Sequence, residues 1–159
     1  MTQTSVLAPV SLAASPVNGA TAGDCAKVLT ALPARLADLN QRRVISLSPY
    51  VVAWGDPAVV LRCGVSRPAV LTPGSSELLF PIRGATGTVI WAPVNLPTQN
   101  IFTTVDRSVY IEVTVPTSYR QPPLAPLSDA IATVLPAVCR VPQPGQPPPP
   151  PATLCTRRR

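Results

Sequence analysis

Twenty-two of the 159 residues are proline. Each one fixes φ and removes a backbone donor, so every regular element of this chain has to fit between them. Seven crowd into one stretch, Pro142, Pro144, Pro147, Pro148, Pro149, Pro150 and Pro151, which excludes helix and central strand there and reads as a polyproline-II tail over residues 140–159. Upstream, the prolines act as punctuation. Pro33 kinks or splits a helical pattern, Pro116 ends a strand, Pro123 and Pro126 are tolerable only in a first helical turn, and Pro136 closes that helix.

Between these marks the apolar residues keep two different periods. Cys25, Val28, Leu29, Leu32, Leu36 and Leu39 recur at three- and four-residue spacing, which predicts a helix capped by Asp24 and fading near Asn40. The period then drops to two at Val59, Leu61, Cys63 and Val65, with Val60, Arg62 and Gly64 facing the other way, as in a strand with one buried face. Leu78 to Ile82 and Thr88 to Trp91 flank the glycines Gly84 and Gly87 and form a second hairpin. The strongest alternation lies in the last hairpin. There Ile101 to Val105 pass through Asp106 and Arg107 into Val109, Ile111, Val113 and Val115, with Tyr110, Glu112 and Thr114 on the opposite face, toward water or a partner. A final helix places Leu124, Leu127, Ile131 and Val134 or Leu135 on one face. The order helix, antiparallel strands, helix defines an α+β fold: a small antiparallel sheet covered on one side by an N-terminal and a C-terminal helix.

This reading gives one domain at residues 25–139, a size suited to a single core. Residues 1–24 are small and uncharged until Asp24. Their apolar run Ser5 to Ala14 has no preceding Lys or Arg and is broken by Pro9, so it makes neither a convincing signal peptide nor a spanning helix. They are expected to be either a disordered leader or, preferentially, the remnant of a membrane anchor and spacer whose basic and apolar part lies upstream.

Charged residues are sparse at 13%, against about 25% in an ordinary soluble domain. The net charge of +6 arises from 13 basic residues, of which all but Lys27 are arginine, against seven acids. Three of those charges are Arg157, Arg158 and Arg159, so the domain itself is only mildly basic. A nucleic-acid surface would need Arg42, Arg43, Arg62 and Arg83 on one face, and their scatter argues against it. Histidine is absent, which excludes Ser-His and Cys-His nucleophile pairs, an imidazole base and His-type metal sites. No cofactor or metal site is expected.

The cysteines Cys25, Cys63, Cys139 and Cys155 lack CxxC spacing. Cys25 opens the first helix and Cys139 follows the last, so a Cys25–Cys139 bridge would tie the ends of the domain together, with Cys63 and Cys155 as the remaining pair. Three connectivities are open. Disulfides place a chain outside the cytosol.

The run Ala53-Trp54-Gly55-Asp56-Pro57 through Val60-Leu61-Arg62-Cys63-Gly64-Val65 to Arg67-Pro68, with Phe102-Thr103-Thr104-Val105-Asp106-Arg107 and Tyr110 to Pro116, resembles the actinobacterial domain-of-unknown-function family numbered 3515. The resemblance spans roughly Cys25 to Cys139. It implies an exported or membrane-anchored protein with an N-terminal hydrophobic segment, and it brings no activity. The family pattern places a cysteine shortly after Thr72-Pro73, where this chain has Ser75 and Ser76; this leaves the partner of Cys63 open, with Cys155 as a replacement.

Candidate binding residues are Trp54 and Asp56, read either as a ligand lip or as a tryptophan sealing the sheet beside an Asp-Pro turn, Asp106 and Arg107 as a solvated polar pair at a hairpin tip, and Arg62 with Glu112 as a cross-strand pair if their strands are neighbours. The expectation is a non-enzymatic cell-envelope module that offers its outer sheet face to an envelope protein or wall polymer. It would be tethered through a segment at or before the N-terminus and have no nucleic-acid partner. The competing expectation is a small wall-directed hydrolase or transferase using Asp56 and Glu112, which would have to meet across a cleft within about 10 Å.

Overall fold

A computed structural model describes residues 7–68 and 79–138. Within these, the first regular piece is a short strand, β1 (Val10–Ser11), followed by α1 (Gly19–Ala31). Helix α1 starts five residues before Asp24, so Asp24 sits inside the helix and does not cap it. Its carboxylate accepts from the Ser108 hydroxyl at 2.7 Å and lies 3.8 Å from Lys27 Nζ. The structured region therefore reaches further toward the N-terminus than the sequence periodicity indicates.

Helix α1 does not run to Asn40. Pro33 forces the residue before it out of the helical region, and Leu32 is extended at φ −67°, ψ 140°. The chain then folds into a tight hairpin, β2 (Arg35–Leu36) and β3 (Leu39–Arg42), with Leu36 opposite Leu39 and Ala37 in the left-handed region at φ 51°. Leucines 32, 36 and 39 fit a helical stripe and a hairpin equally well by spacing, and Pro33 decides between them. Next come β4 (Val44–Ile45), β5 (Val51–Trp54) and β6 (Val59–Val65).

After β6 the chain continues through β7 (Phe80–Arg83), β8 (Thr88–Asn95), β9 (Gln99–Thr104), β10 (Tyr110–Pro116) and α2 (Leu124–Val134). The expected hairpins at Gly84–Gly87 and at Asp106-Arg107 both form, as β7–β8 and β9–β10. The main sheet has eight strands in the order β2-β3-β5-β6-β10-β9-β8-β7, antiparallel throughout. It is two four-stranded meanders, joined where β10 lies beside β6. Strand β1 pairs in parallel with β4 as a separate two-stranded piece.

Both helices cover one face of the sheet, α1 against β6 and α2 against β7 and β8, and they touch each other. Inward residues alternate as the period-two pattern requires. Val52, Trp54, Val59, Leu61, Cys63, Val89, Trp91, Phe102, Ile111, Val113 and Val115 meet Cys25 and Val28 of α1 and Leu124, Leu127 and Ile131 of α2. The buried polar atoms in this layer are paired: Trp54 Nε1 donates to the Pro33 carbonyl and Trp91 Nε1 to Ser128 Oγ, each at 3.0 Å.

The disulfide differs from the expected one. Cys25 is bonded to Cys63, with their Cα atoms 5.6 Å apart. The reason is geometric: α1 lies across β6, Cys25 is on its sheet-facing side, and Cys63 points inward from the strand beneath. A bridge from Cys25 to Cys139 is thereby overturned, and Cys139 and Cys155 fall outside the described residues. Closing a 38-residue separation contributes about 4 kcal/mol in the chain-entropy picture. The Pro-rich tail at 140–159 also lies outside the described residues.

The opposite face is partly covered. Over β5 and β6 it carries a strap formed by residues 8–15, whose Val10, Leu12 and Ala14 pack on Val51, Ala53 and Val60. Strand β5 is consequently buried on both sides.

Candidate functional site

The strap is held by two arginines that rise from the outer face of the sheet. Arg42 Nη2 donates to the Ala8 carbonyl at 2.8 Å and Nη1 to the Gly55 carbonyl at 3.1 Å. Arg62 Nε donates to the Ala13 carbonyl at 2.8 Å. Each has one carboxylate within ion-pair range, Asp56 at 3.9 Å from Arg42 and Glu112 at 3.6 Å from Arg62. The second of these is the cross-strand pair that alternation predicts: β6 and β10 are neighbours and Arg62 is directly opposite Glu112.

Beyond Ala14 the chain runs to Val17, which passes close over Gly64. A Cβ on Gly64 would lie 2.8 Å from the Val17 side chain, and the residue holds φ +86°, a conformation glycine adopts without penalty. One rung further, the β6–β10 ladder slips register between Tyr110 and Ile111; such bulges often border binding sites. Beside this crossing and the bulge lies a cleft of about 400 Å³, whose walls include Ala13, Ala14, Ser15, Val51, Val65 and Ser66 and whose floor carries Arg62 and Glu112. That volume is within the range of small-molecule sites. The side chains of Arg62 and Glu112 remain 20% and 27% exposed, so both charges are accessible from the cleft. Ser48, buried beside it, accepts from the Tyr50 N–H at 3.1 Å through Oγ.

The other sequence candidates lie elsewhere. Trp54 is fully buried on the helix side, donating to Pro33, and forms no lip. Asp56 stands on the exposed β5–β6 turn, which holds a cis Asp56–Pro57 bond, and its Arg42 partner keeps it at the strap's other end. Between the turn and Glu112 lie the rungs Val59 to Arg62, about 10 Å of strand before the turn itself is added. Asp56 does not line the cleft.

Asp106 and Arg107 are not a solvated tip. Arg107 is among the largest fully buried side chains, and Asp106 is buried beside it. Asp106 Oδ2 lies 2.7 Å from Arg107 Nη1, Oδ1 accepts from the Ile90 N–H at 3.2 Å, and Arg107 Nη2 donates to the Thr88 carbonyl at 3.0 Å. The Val138 N–H closes over the Asp106 carbonyl at 2.8 Å. Burial pushes the Asp106 carboxyl above its ordinary value, with Arg107 and the Ile90 N–H pulling the other way. This cluster fastens β8, the β9–β10 loop and the segment after α2, and it is occupied by its own backbone.

Among the described residues, no group of three His, Cys, Asp or Glu could hold a metal ion, and no helix is long and apolar enough to cross a membrane. The sequence reasoning missed the strap and its cleft. The signal available was Arg62 and Glu112 together with Gly64 on one outward-facing row.

No curated protein and no solved structure matches the chain. A family model described as "Protein of unknown function (DUF3515)" matches residues 1–139, a span that takes in the strap, the Cys25–Cys63 bridge and the whole sheet; the chain belongs to the DUF3515 family.

Proposed function

We propose that this protein is a non-enzymatic binding module of the cell envelope, working outside the cytoplasm and tethered to the membrane through a segment at or before its N-terminus. Its ligand, carried by a wall polymer or another envelope protein, would be taken up in the cleft over Arg62 and Glu112 and not on an open sheet face, since the strap covers that face over β5 and β6.

The observation that carries the reading is the fully buried Cys25–Cys63 bridge. Disulfides of this kind form and persist in oxidising compartments and are rare in the cytosol. The separation of Asp56 from Glu112, each beside its own arginine, weighs against carboxylate-pair hydrolysis, which needs both acids at one bond. The test is the mass of protein recovered from its native host without reductant, after alkylation with and without reduction, followed by peptide mapping. A Cys25–Cys63 crosslink is expected. Free, alkylatable Cys25 and Cys63 would end the extracytoplasmic reading.

A further inference from the structure

We infer that the cleft recognises an α-ammonium carboxylate, the zwitterionic centre of an amino acid, either as a free amino acid or at the end of a side chain borne by a wall polymer. The inference rests on the proposed binding module and names the ligand class of its cleft.

The argument begins with the paired charges. Arg62 and Glu112 stand side by side, 3.6 Å apart, on the cleft floor. Arg62 spends Nε on the strap carbonyl of Ala13 and holds Nη1 3.6 Å from Glu112 Oε1, which fixes the plane of the guanidinium; a ligand carboxylate would share or displace that Glu112 contact. A simple anion entering the cleft would meet the Glu112 carboxylate at close range, and a simple cation would meet Arg62, so each is disfavoured by its like-charged neighbour. A ligand whose positive and negative groups are separated by a single carbon satisfies both at once: its carboxylate accepts from Arg62 and its ammonium donates to Glu112.

The remaining lining sets the size and character of what is attached. Ala13, Ala14, Val51 and Val65 are short and apolar, and Ser15 and Ser66 stand with them in the cleft wall. About 400 Å³ leaves room beyond the zwitterion for a small or aliphatic side chain or for a connecting arm. No covalent step is involved.

Isothermal titration of the oxidised protein with alanine, N-acetylalanine and alaninamide tests the assignment. Alanine is expected to bind, and masking either charge should weaken binding about 10- to 100-fold, the worth of one charge-assisted hydrogen bond. Arg62→Met should do the same with the near-ultraviolet signal of Trp54 and Trp91 unchanged. Ser66→Trp, which crowds the cleft wall without touching either charge, should also block binding. For the polymer-borne source, sedimentation with an insoluble wall preparation should be competed by alanine. Equal affinity for the capped compounds, or no alanine binding together with no alanine-sensitive wall binding, overturns the inference. Wall binding that alanine does not compete sinks this ligand class while leaving the envelope module intact; free Cys25 and Cys63 thiols would remove the module itself.

Discussion

Two of the arginine–carboxylate pairs along the sheet resemble each other on paper and differ in their surroundings. Arg107 and Asp106 are sealed between strands, and Ile90, Thr88 and Val138 supply backbone partners to the pair. Arg62 and Glu112 lie on the outer face, partly exposed, with only the Ala13 carbonyl drawn in from the strap. Desolvation makes the first pair expensive to break, because either charge left alone would be buried. The second pair keeps water on one side, so it contributes little to folding and stays available to a ligand. Where a charge pair stands relative to solvent, more than its distance, separates a fastening from a site.

The sharpest way to break this contrast is Arg107→Leu. It should cost about 3–5 kcal/mol in chemical denaturation, since Asp106 would remain as an uncompensated buried charge. Replacing both Asp106 and Arg107 by Leu should cost clearly less than the sum of the two single changes. Glu112→Gln should lower stability by less than about 1 kcal/mol, measured the same way. If Arg107→Leu proved as mild as Glu112→Gln, burial would not be what distinguishes the pairs.

A third, exposed cluster extends the series to its weak end. Asp129 on α2 accepts from the Thr86 N–H and hydroxyl in the β7–β8 loop, and the N–H groups of Thr86 and Ala85 hold its carboxyl below the ordinary 3.8. A lowered folded value means that this group's stabilisation is full above the ordinary value and is lost as pH falls through the folded one. Asp129→Asn should therefore melt below the parent at neutral pH, and the gap should close as the pH is taken below 3.8. Asp106, with its raised value, works in the opposite sense: its contribution is full below the ordinary 3.8 and is lost as the pH rises through the raised value.

The legible part of this fold was the part written in local periodicity. Ile111 to Val115 alternate strictly within β10, Leu124 to Ile131 repeat helically within α2, and the Arg62–Glu112 contact follows once β6 and β10 are adjacent. What was not legible depends on chain segments far apart in sequence. Nothing around Val10 announces that it will lie against Val44 and cover Val60. The tip position of Arg107 says solvent, and only the arrival of β8 and of Val138 says otherwise. The pairing of Cys25 with Cys63 is set by the angle at which α1 crosses β6, which spacing does not encode.

The joining of the two meanders has a consequence for the order in which this domain can be completed. Strand β6 sits at the middle of the finished sheet, but its second neighbour, β10, is the last strand in the chain. A polypeptide emerging N-terminus first, from a ribosome or through a membrane channel, carries β6 as an unpaired edge until Tyr110 to Pro116 have appeared, and such an edge invites pairing with other chains. The strap and α1 shield the two faces of that strand, but neither shields its edge. The passage of residues 66 to 116 is thus the interval in which this protein is most exposed to misassembly, and any factor that escorts the chain would act then.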